Sequence, residues 1–246
     1  MAIGVSLLVL AGIIATAPSA AAEDRYAAAR TRMVVEITTM AQETGDITGR
    51  PVLAEAVLAA MRRVPRHRFV PAFHAPLAYE NRALPIGEGQ TISQPFIVAL
   101  MTDLLDPKPG HRVLEVGTGS GYQAAVLAEL VARVYTIEIV EPLGRRARQL
   151  LHTLGYRNVE VRIGDGYRGW PEAAPFDLII VTAAPAAIPQ PLIDQLKPGG
   201  RMVIPTGRSR DVQYLVMVEK QRDGTSTTRR TLPVRFVPLT REPAKK

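Results

Sequence analysis

The 246-residue chain has no cysteine, which excludes a disulfide scaffold, a thiolate nucleophile and any cysteine-ligated zinc or iron–sulfur site. Histidine is nearly as scarce. His67, His74, His111 and His152 are too scattered to suggest a metal cluster. Aromatic residues make up 5% of the chain, and only Phe69 and Phe73 stand near the basic cluster Arg62, Arg63, Arg66 and Arg68. Nucleic-acid binding wants basic residues interleaved with stacking aromatics, so no nucleic-acid partner is expected. The cluster and the formal charge of +7 read as a solvated basic face, with long-range attraction of acidic ligands as the functional alternative.

Long apolar runs are also missing, except at the start. Residues 3–17 carry no charge, and Pro18 and Ser19-Ala20-Ala21-Ala22 follow before Glu23. This stretch resembles a secretory signal peptide, with Ala20 and Ala22 as an A-x-A cleavage signal. It is short for a membrane span, and no Lys or Arg precedes it. Two origins fit: a cleaved leader of residues 1–22, which would make the protein periplasmic or exported, or a wrongly chosen start codon. No stable membrane span is expected under either.

The remainder is ordinary globular sequence, 47% apolar and 22% charged. Residues 25–64 read as helical. Val52, Leu53, Ala56, Val57, Ala60, Met61 and Val64 form one apolar face, Pro51 suits the first turn, and Arg62 and Arg63 suit the last. Residues 65–94 read as a long loop region with short strands. A helix is expected from Pro95, where Ile97, Leu100, Met101, Leu104 and Leu105 keep helical spacing. From residue 107 strands and helices alternate, with strands expected at 112–116, 134–139, 159–163, 176–182, 201–205, 212–219 and 228–237 and helices at 122–131, 143–154 and 192–196. Such alternation predicts an α/β fold, a doubly wound, mostly parallel seven-stranded sheet. The expected division is a leader (1–22), N-terminal helices and a loop (23–106) and an α/β core (107–246), with 23–246 forming one domain.

The first strand, Val113-Leu114-Glu115-Val116, runs into Gly117-Thr118-Gly119-Ser120-Gly121. Glycines at that carboxyl end let backbone approach a nucleotide-like ligand. A dinucleotide fingerprint needs G-x-G-x-x-G, and here the third glycine comes one residue early. G-x-G-x-G after an acidic strand residue is instead the pattern of S-adenosylmethionine-dependent methyltransferases. Glu138, 21 positions after Gly117, can accept hydrogen bonds from ribose hydroxyls, and Asp165 with Gly166 would lie at the adenine edge. Each carboxylate alone could be a solvated strand end; Glu115, Glu138 and Asp165 after three successive strands make coincidence a poor account. Ser93 lies just before the helix at Pro95, where a hydroxyl and unpaired N–H groups can receive an anion, although it could simply cap that helix. Tyr122 and Trp170 are open between cofactor contact and packing, with packing favoured for Trp170.

Ala83-Leu84-Pro85-Ile86-Gly87-Glu88-Gly89-Gln90-Thr91-Ile92-Ser93-Gln94-Pro95 resembles the signature loop of protein-L-isoaspartate O-methyltransferases. Arg63-Val64-Pro65-Arg66-His67-Arg68-Phe69-Val70-Pro71, Glu115 to Tyr122, Gly164-Asp165-Gly166, Pro175-Phe176-Asp177 through Ala183-Ala184-Pro185, Leu196-Lys197-Pro198-Gly199-Gly200 and Val234 to Leu239 are similar to that family too. The resemblance spans residues 25–239, and Thr91–Pro95 is its most discriminating part. It implies a Rossmann-like class I methyltransferase that esterifies the free α-carboxylate of L-isoaspartyl residues in damaged proteins and peptides. The ester then closes to a succinimide that partly hydrolyses to aspartate. Carried over by matching motif, the cofactor residues are Glu115, Gly117, Thr118, Gly119, Gly121, Tyr122, Glu138, Asp165 and Gly166. Ser93 would meet the substrate carboxylate, and Thr91, Ile92, Gln94, Pro95, Val237 and Thr240 the rest of the peptide. A carboxylate is already anionic at neutral pH, so the lack of a catalytic His or Cys is expected. The resemblance and the cytoplasmic origin of S-adenosylmethionine favour the cytoplasm, the leader being the departure from the family, and a monomer is expected.

Three other readings compete. A methyltransferase for RNA or a small molecule would share the cofactor half, but the N-P-P-[FY] sequence of amino-methylating enzymes is absent where Val181-Thr182-Ala183-Ala184-Pro185 stands. A nicotinamide-dependent oxidoreductase is opposed by the early third glycine. A noncatalytic binding module would keep the fold alone.

Overall fold

The computed structural model describes residues 25–208 and 211–241; the leader expected at residues 1–22 lies outside them. Helices α1 (Ala27–Glu43), α2 (Gly45–Thr48) and α3 (Glu55–Arg63) come first, then strands β1 (Leu84–Gly87) and β2 (Gln90–Ile92), then helix α4 (Pro95–Leu105). The main sheet and its helices follow as β3 (Arg112–Val116), α5 (Tyr122–Ala128), β4 (Arg133–Glu138), α6 (Glu141–Thr153), β5 (Val159–Ile163), β6 (Phe176–Val181), α7 (Gln190–Asp194), β7 (Leu196–Thr206), β8 (Gln213–Lys220) and β9 (Ser226–Val234). Among the described residues no helix is long and apolar enough to cross a membrane.

The seven strands stand in the order β5-β4-β3-β6-β7-β8-β9. The five from β5 to β7 are parallel, and β8 runs antiparallel to both neighbours. The chain therefore winds outward from β3 to β5, then crosses back to lay β6 on the other side of β3. Ligands of doubly wound sheets sit at that switch point, outside the strands' carboxyl ends. Side chains alternate across the sheet, so Val113, Leu178 and Ile180 enter one core with α1, α3, α4 and α5, while Leu114, Val116, Ile179 and Val181 enter a second with Trp170 and Phe176. Glu115 points to the first face, between Thr136 of β4 and Ile180 of β6 in register.

Helix α4 is buried on every side, as an apolar sequence without a polar stripe requires. It begins at Pro95, as expected, with the proline in the first turn where its missing N–H costs nothing. The expected helix over 51–64 is shorter at its start. Gly49 closes α2 in the left-handed region, Val52 is 78% exposed, and α3 begins only at Glu55. Its first turn is fixed from afar, because Asp103 within α4 accepts from the Ala54 N–H at 2.7 Å. Helix α5 likewise ends at Ala128 rather than Val131.

One member of the supposed solvated basic face is not solvated. Arg62, Arg63 and Arg68 are exposed, but Arg66 is 0% exposed. Its Nε donates to the Ala78 carbonyl and one terminal nitrogen to the Ser93 carbonyl, both at 2.7 Å. The guanidinium carbon lies 4.8 Å from the centre of the Tyr122 ring, so main-chain oxygens and a π-face replace the lost water.

Candidate active site

The loop after β3 is shaped by what presses on it. Gly117, at φ 97°, has no room for a side chain, since a Cβ there would lie 2.4 Å from Thr182 Oγ1. That hydroxyl donates to the Gly117 carbonyl at 2.6 Å, with the Val116 carbonyl at 3.1 Å. Thr118 shares a buried 2.6 Å hydroxyl hydrogen bond with Thr136. Gly119 donates its N–H to Glu138 Oε2 at 2.7 Å, and Val140 donates to Oε1 at 2.9 Å. Gly121, at φ 88°, turns the chain into α5. Glu138 thus stands at the end of β4 and also holds the glycine loop. Burial pushes its carboxyl above the usual value, with the backbone N–H groups pulling against that.

Three cavities beside this loop share walls. The largest, about 620 Å³, is lined by Thr91, Ser93, Gln94, Thr182, Arg235 and Val237, among others. A second of about 60 Å³ is bounded by Gly117, Gly119, Glu138, Gly166, Val237 and Thr240. A third of about 30 Å³ lies under the loop between Ile92, Ser93, Glu115, Thr118 and Tyr122. Thr91 and Thr182 border all three. The wall between the first two is the C-terminal segment. It is held by Ala184, which donates to the Val237 carbonyl at 2.8 Å and accepts from the Leu239 N–H at 2.9 Å.

Ser93 does not cap α4. Gln94 is the capping residue, and the Phe96 N–H is satisfied by Asn81 Oδ1 at 3.0 Å. Among the described residues the Ser93 hydroxyl has no hydrogen-bond partner and no backbone carbonyl engages the Ile97 N–H. Both residues line the large cavity, and a hydroxyl near a helix-terminal N–H is an arrangement suited to an anion.

Glu115 is fully buried and neither carboxylate oxygen has a hydrogen-bond partner. Burial raises its pKa to about 8, the Thr136 hydroxyl opposing and Glu138 reinforcing the shift.

Of the other expected site residues, Asp165 and Pro95 line none of these three cavities and Tyr122 lines only the smallest. Asp165 accepts from the Tyr167 N–H at 2.9 Å and caps a short turn, leaving Gly166 to line the cavity beside Glu138. Tyr122 packs edge-on against Phe69, 5.5 Å between ring centres, and borders only the space beneath the loop. Pro95 is buried in the first turn of α4. Trp170 packs against Tyr135 at 5.4 Å, the packing role favoured for it. Thr182 was legible only as part of the segment after β6, with nothing in its spacing to mark it as the common wall.

Over residues 45–244 the chain matches the family described as protein-L-isoaspartate(D-aspartate) O-methyltransferase. It is 66% identical over 208 residues to protein-L-isoaspartate O-methyltransferase 2 of Polaromonas sp., covering 85% of this chain and 99% of that one. It is 60% identical over 219 residues to protein-L-isoaspartate O-methyltransferase 1 of Cupriavidus necator, covering 89% and 85%. Among solved structures, a protein-L-isoaspartate O-methyltransferase 27% identical superposes with a TM-score of 0.73 over 85% of this chain; this chain spans 65% of that longer one, less than two thirds. A Plasmodium falciparum chain in complex with S-adenosyl-L-homocysteine, 23% identical, shares the fold at a TM-score of 0.72, covering 89% and 99%.

The buried Glu115 sets a pH dependence. Its carboxyl keeps a proton up to about pH 8 when folded and releases it near 4.5 when unfolded. The folded state therefore binds more protons across that window, and stability falls as pH rises through it. Glu115→Gln, neutral and of similar shape, is expected to melt above the wild type at pH 8, by a margin that shrinks as pH drops toward 4.5. Thermal unfolding of the ligand-free proteins checks this; parallel melting curves at both ends of the window would refute it.

Proposed function

The chain belongs to the protein-L-isoaspartate(D-aspartate) O-methyltransferase family, and from that premise we propose how its residues divide the work. The enzyme transfers a methyl group from S-adenosylmethionine to the free α-carboxylate of L-isoaspartyl residues in damaged proteins and peptides, starting repair through a succinimide. In our reading Ser93 receives that carboxylate. The observation that carries this is the uncommitted Ser93 hydroxyl beside the free Ile97 N–H at the start of α4. Thr91, Ile92, Gln94 and Pro95 shape the segment around it, and Val237 and Thr240 meet the substrate from the opposite wall.

The residues present fit the cofactor. Glu115 offers two buried oxygens without partners, and the glycine loop leaves backbone bare on the ligand side. Glu115, Gly117, Thr118, Gly119 and Gly121 would hold its amino-acid half, with Tyr122 contributing as packing behind the loop. Glu138 would take the ribose hydroxyls on lone pairs its two backbone donors leave free, and Asp165 with Gly166 would border the adenine. When bound, S-adenosylmethionine supplies an electrophilic methyl group on a sulfonium. The chain's own task is alignment and exclusion of water. A substrate carboxylate is ionised at neutral pH, so no side chain has to remove a proton.

We further infer that the protein acts as a monomer without nucleic acid, and that residues 23–106 and 107–246 work as one catalytic domain. Cofactor supply favours the cytoplasm. The alternative is a periplasmic enzyme, if residues 1–22 are cleaved.

Three experiments test these readings. With labelled S-adenosylmethionine, an isoaspartyl peptide is expected to be methylated and its aspartyl twin not. Ser93→Ala should depress that transfer about tenfold or more while cofactor affinity holds, since one lost hydrogen bond to a charged group costs ~1.5–3 kcal/mol. Equal labelling of both peptides would refute the substrate, and normal turnover in Ser93→Ala would refute the residue. Glu138→Ala should weaken cofactor binding by roughly tenfold or more on the same arithmetic, and unchanged calorimetric affinity in the folded variant would remove it from the site. Fractionation of the native cell, with sizing and N-terminal sequencing, should return a cytosolic monomer; a periplasmic chain beginning at Glu23 would overturn that location.

A further inference from the structure

Arg66 is the most deeply buried charge the reaction has not used. It is 0% exposed and has no ion-pair partner among the described residues. One terminal nitrogen has no hydrogen-bond partner at all. A cation in that setting is costly, so its two strong bonds call for a reason. One of them is made to the Ser93 carbonyl at 2.7 Å. Four residues on, the Ile97 N–H is the group that a longer helix would direct at that same carbonyl. Helix α4 instead starts at Pro95, its first intrahelical acceptor being Gln94, which takes the Val98 N–H at 3.1 Å.

We propose that Arg66 is a positioning residue for the substrate carboxylate: by engaging the Ser93 carbonyl it keeps α4 from winding back another residue, and so leaves the Ser93 hydroxyl and the Ile97 N–H free for the anion. The other arms of the guanidinium steady this arrangement. Nε is tied to Ala78 and the flat face lies on Tyr122, which opens the helix after the glycine loop. The substrate segment and the cofactor loop are therefore braced by one side chain. Its charge, not neutralised by a protein carboxylate, also adds positive potential where the substrate brings a negative one. Arg66 touches neither substrate nor cofactor in this account; it acts through Ser93 and Ile97.

The inference rests on the reading of Ser93 as the carboxylate contact, and the experiment separates the two. Arg66→Gln and Arg66→Lys are compared with the wild type using an isoaspartyl peptide and the same peptide with its α-carboxyl amidated, the amide serving as a competitive ligand. The wild type is expected to prefer the carboxylate. In Arg66→Gln the peptide KM should rise tenfold or more and the preference over the amide should shrink by a similar factor. Cofactor affinity should stay within about twofold and kcat should change less than KM. Arg66→Lys, which keeps the charge without the fork, should fall between. In the amide spectrum, Ile97 should become protected from exchange in Arg66→Gln as the helix claims its N–H. A folded Arg66→Gln with wild-type KM, preference and Ile97 exchange would overturn the proposal. So would failure of both variants to fold, because Arg66 would then be a structural support only. If the wild type itself does not distinguish carboxylate from amide, the Ser93 reading fails instead.

Discussion

The Thr182 hydroxyl, donating to the Gly117 carbonyl, fastens the seam where the sheet changes its winding direction. Strands β3 and β6 are neighbours there only because the chain has crossed back from β5, so the bond joins two stretches of backbone 65 residues apart. It presses on Gly117 closely enough to forbid a Cβ, and that forces the bare loop on which Thr118, Gly119 and Glu138 build. Glu138 then bonds Gly119, and the floor of the site is complete. The first glycine of the loop is, physically, the imprint of this crowding.

Two buried charges meet burial differently. For Glu115 burial raises the pKa to about 8, with the Thr136 hydroxyl pulling the other way. Arg66 keeps its proton, because burial lowers its pKa only to about 10, and it spends hydrogen bonds on carbonyls that the surrounding loop would otherwise leave to water. Both side chains lie on the same side of the sheet as α4, the helix whose start borders the large cavity.

Much of the fold could be read from periodicity because the central strands β3 and β6 are buried on both faces and Gly117 and Gly164 end β3 and β5. Strand β3 and the start of α4 at Pro95 fall where the pattern puts them. What stayed hidden depends on partners remote in sequence. The start of α3 is set by Asp103, 49 residues beyond Ala54, and no local window contains that bond. Arg66 looks like its exposed neighbours in composition; only the folded loop carrying Ala78 and Ser93 makes it a buried tie. At the site, Glu138 and Ser93 were legible because a strand end and a helix start are themselves legible. Asp165 also stands at a strand end, but the bond its carboxylate accepts from the Tyr167 N–H depends on the turn that follows and was not legible.

Val237 borders both the large cavity and the one beside Glu138, so two chambers share a partition. The smaller, at about 60 Å³, is well below the ~300–1,000 Å³ of pockets that enclose small ligands. A ligand larger than that volume has to displace the partition toward its neighbour. Occupancy on one side is then thermodynamically linked to affinity on the other, by the same factor in both directions. For an enzyme that exchanges a cofactor and a peptide, that linkage would tie the order of arrival and departure to the two backbone hydrogen bonds by which Ala184 holds Val237 and Leu239.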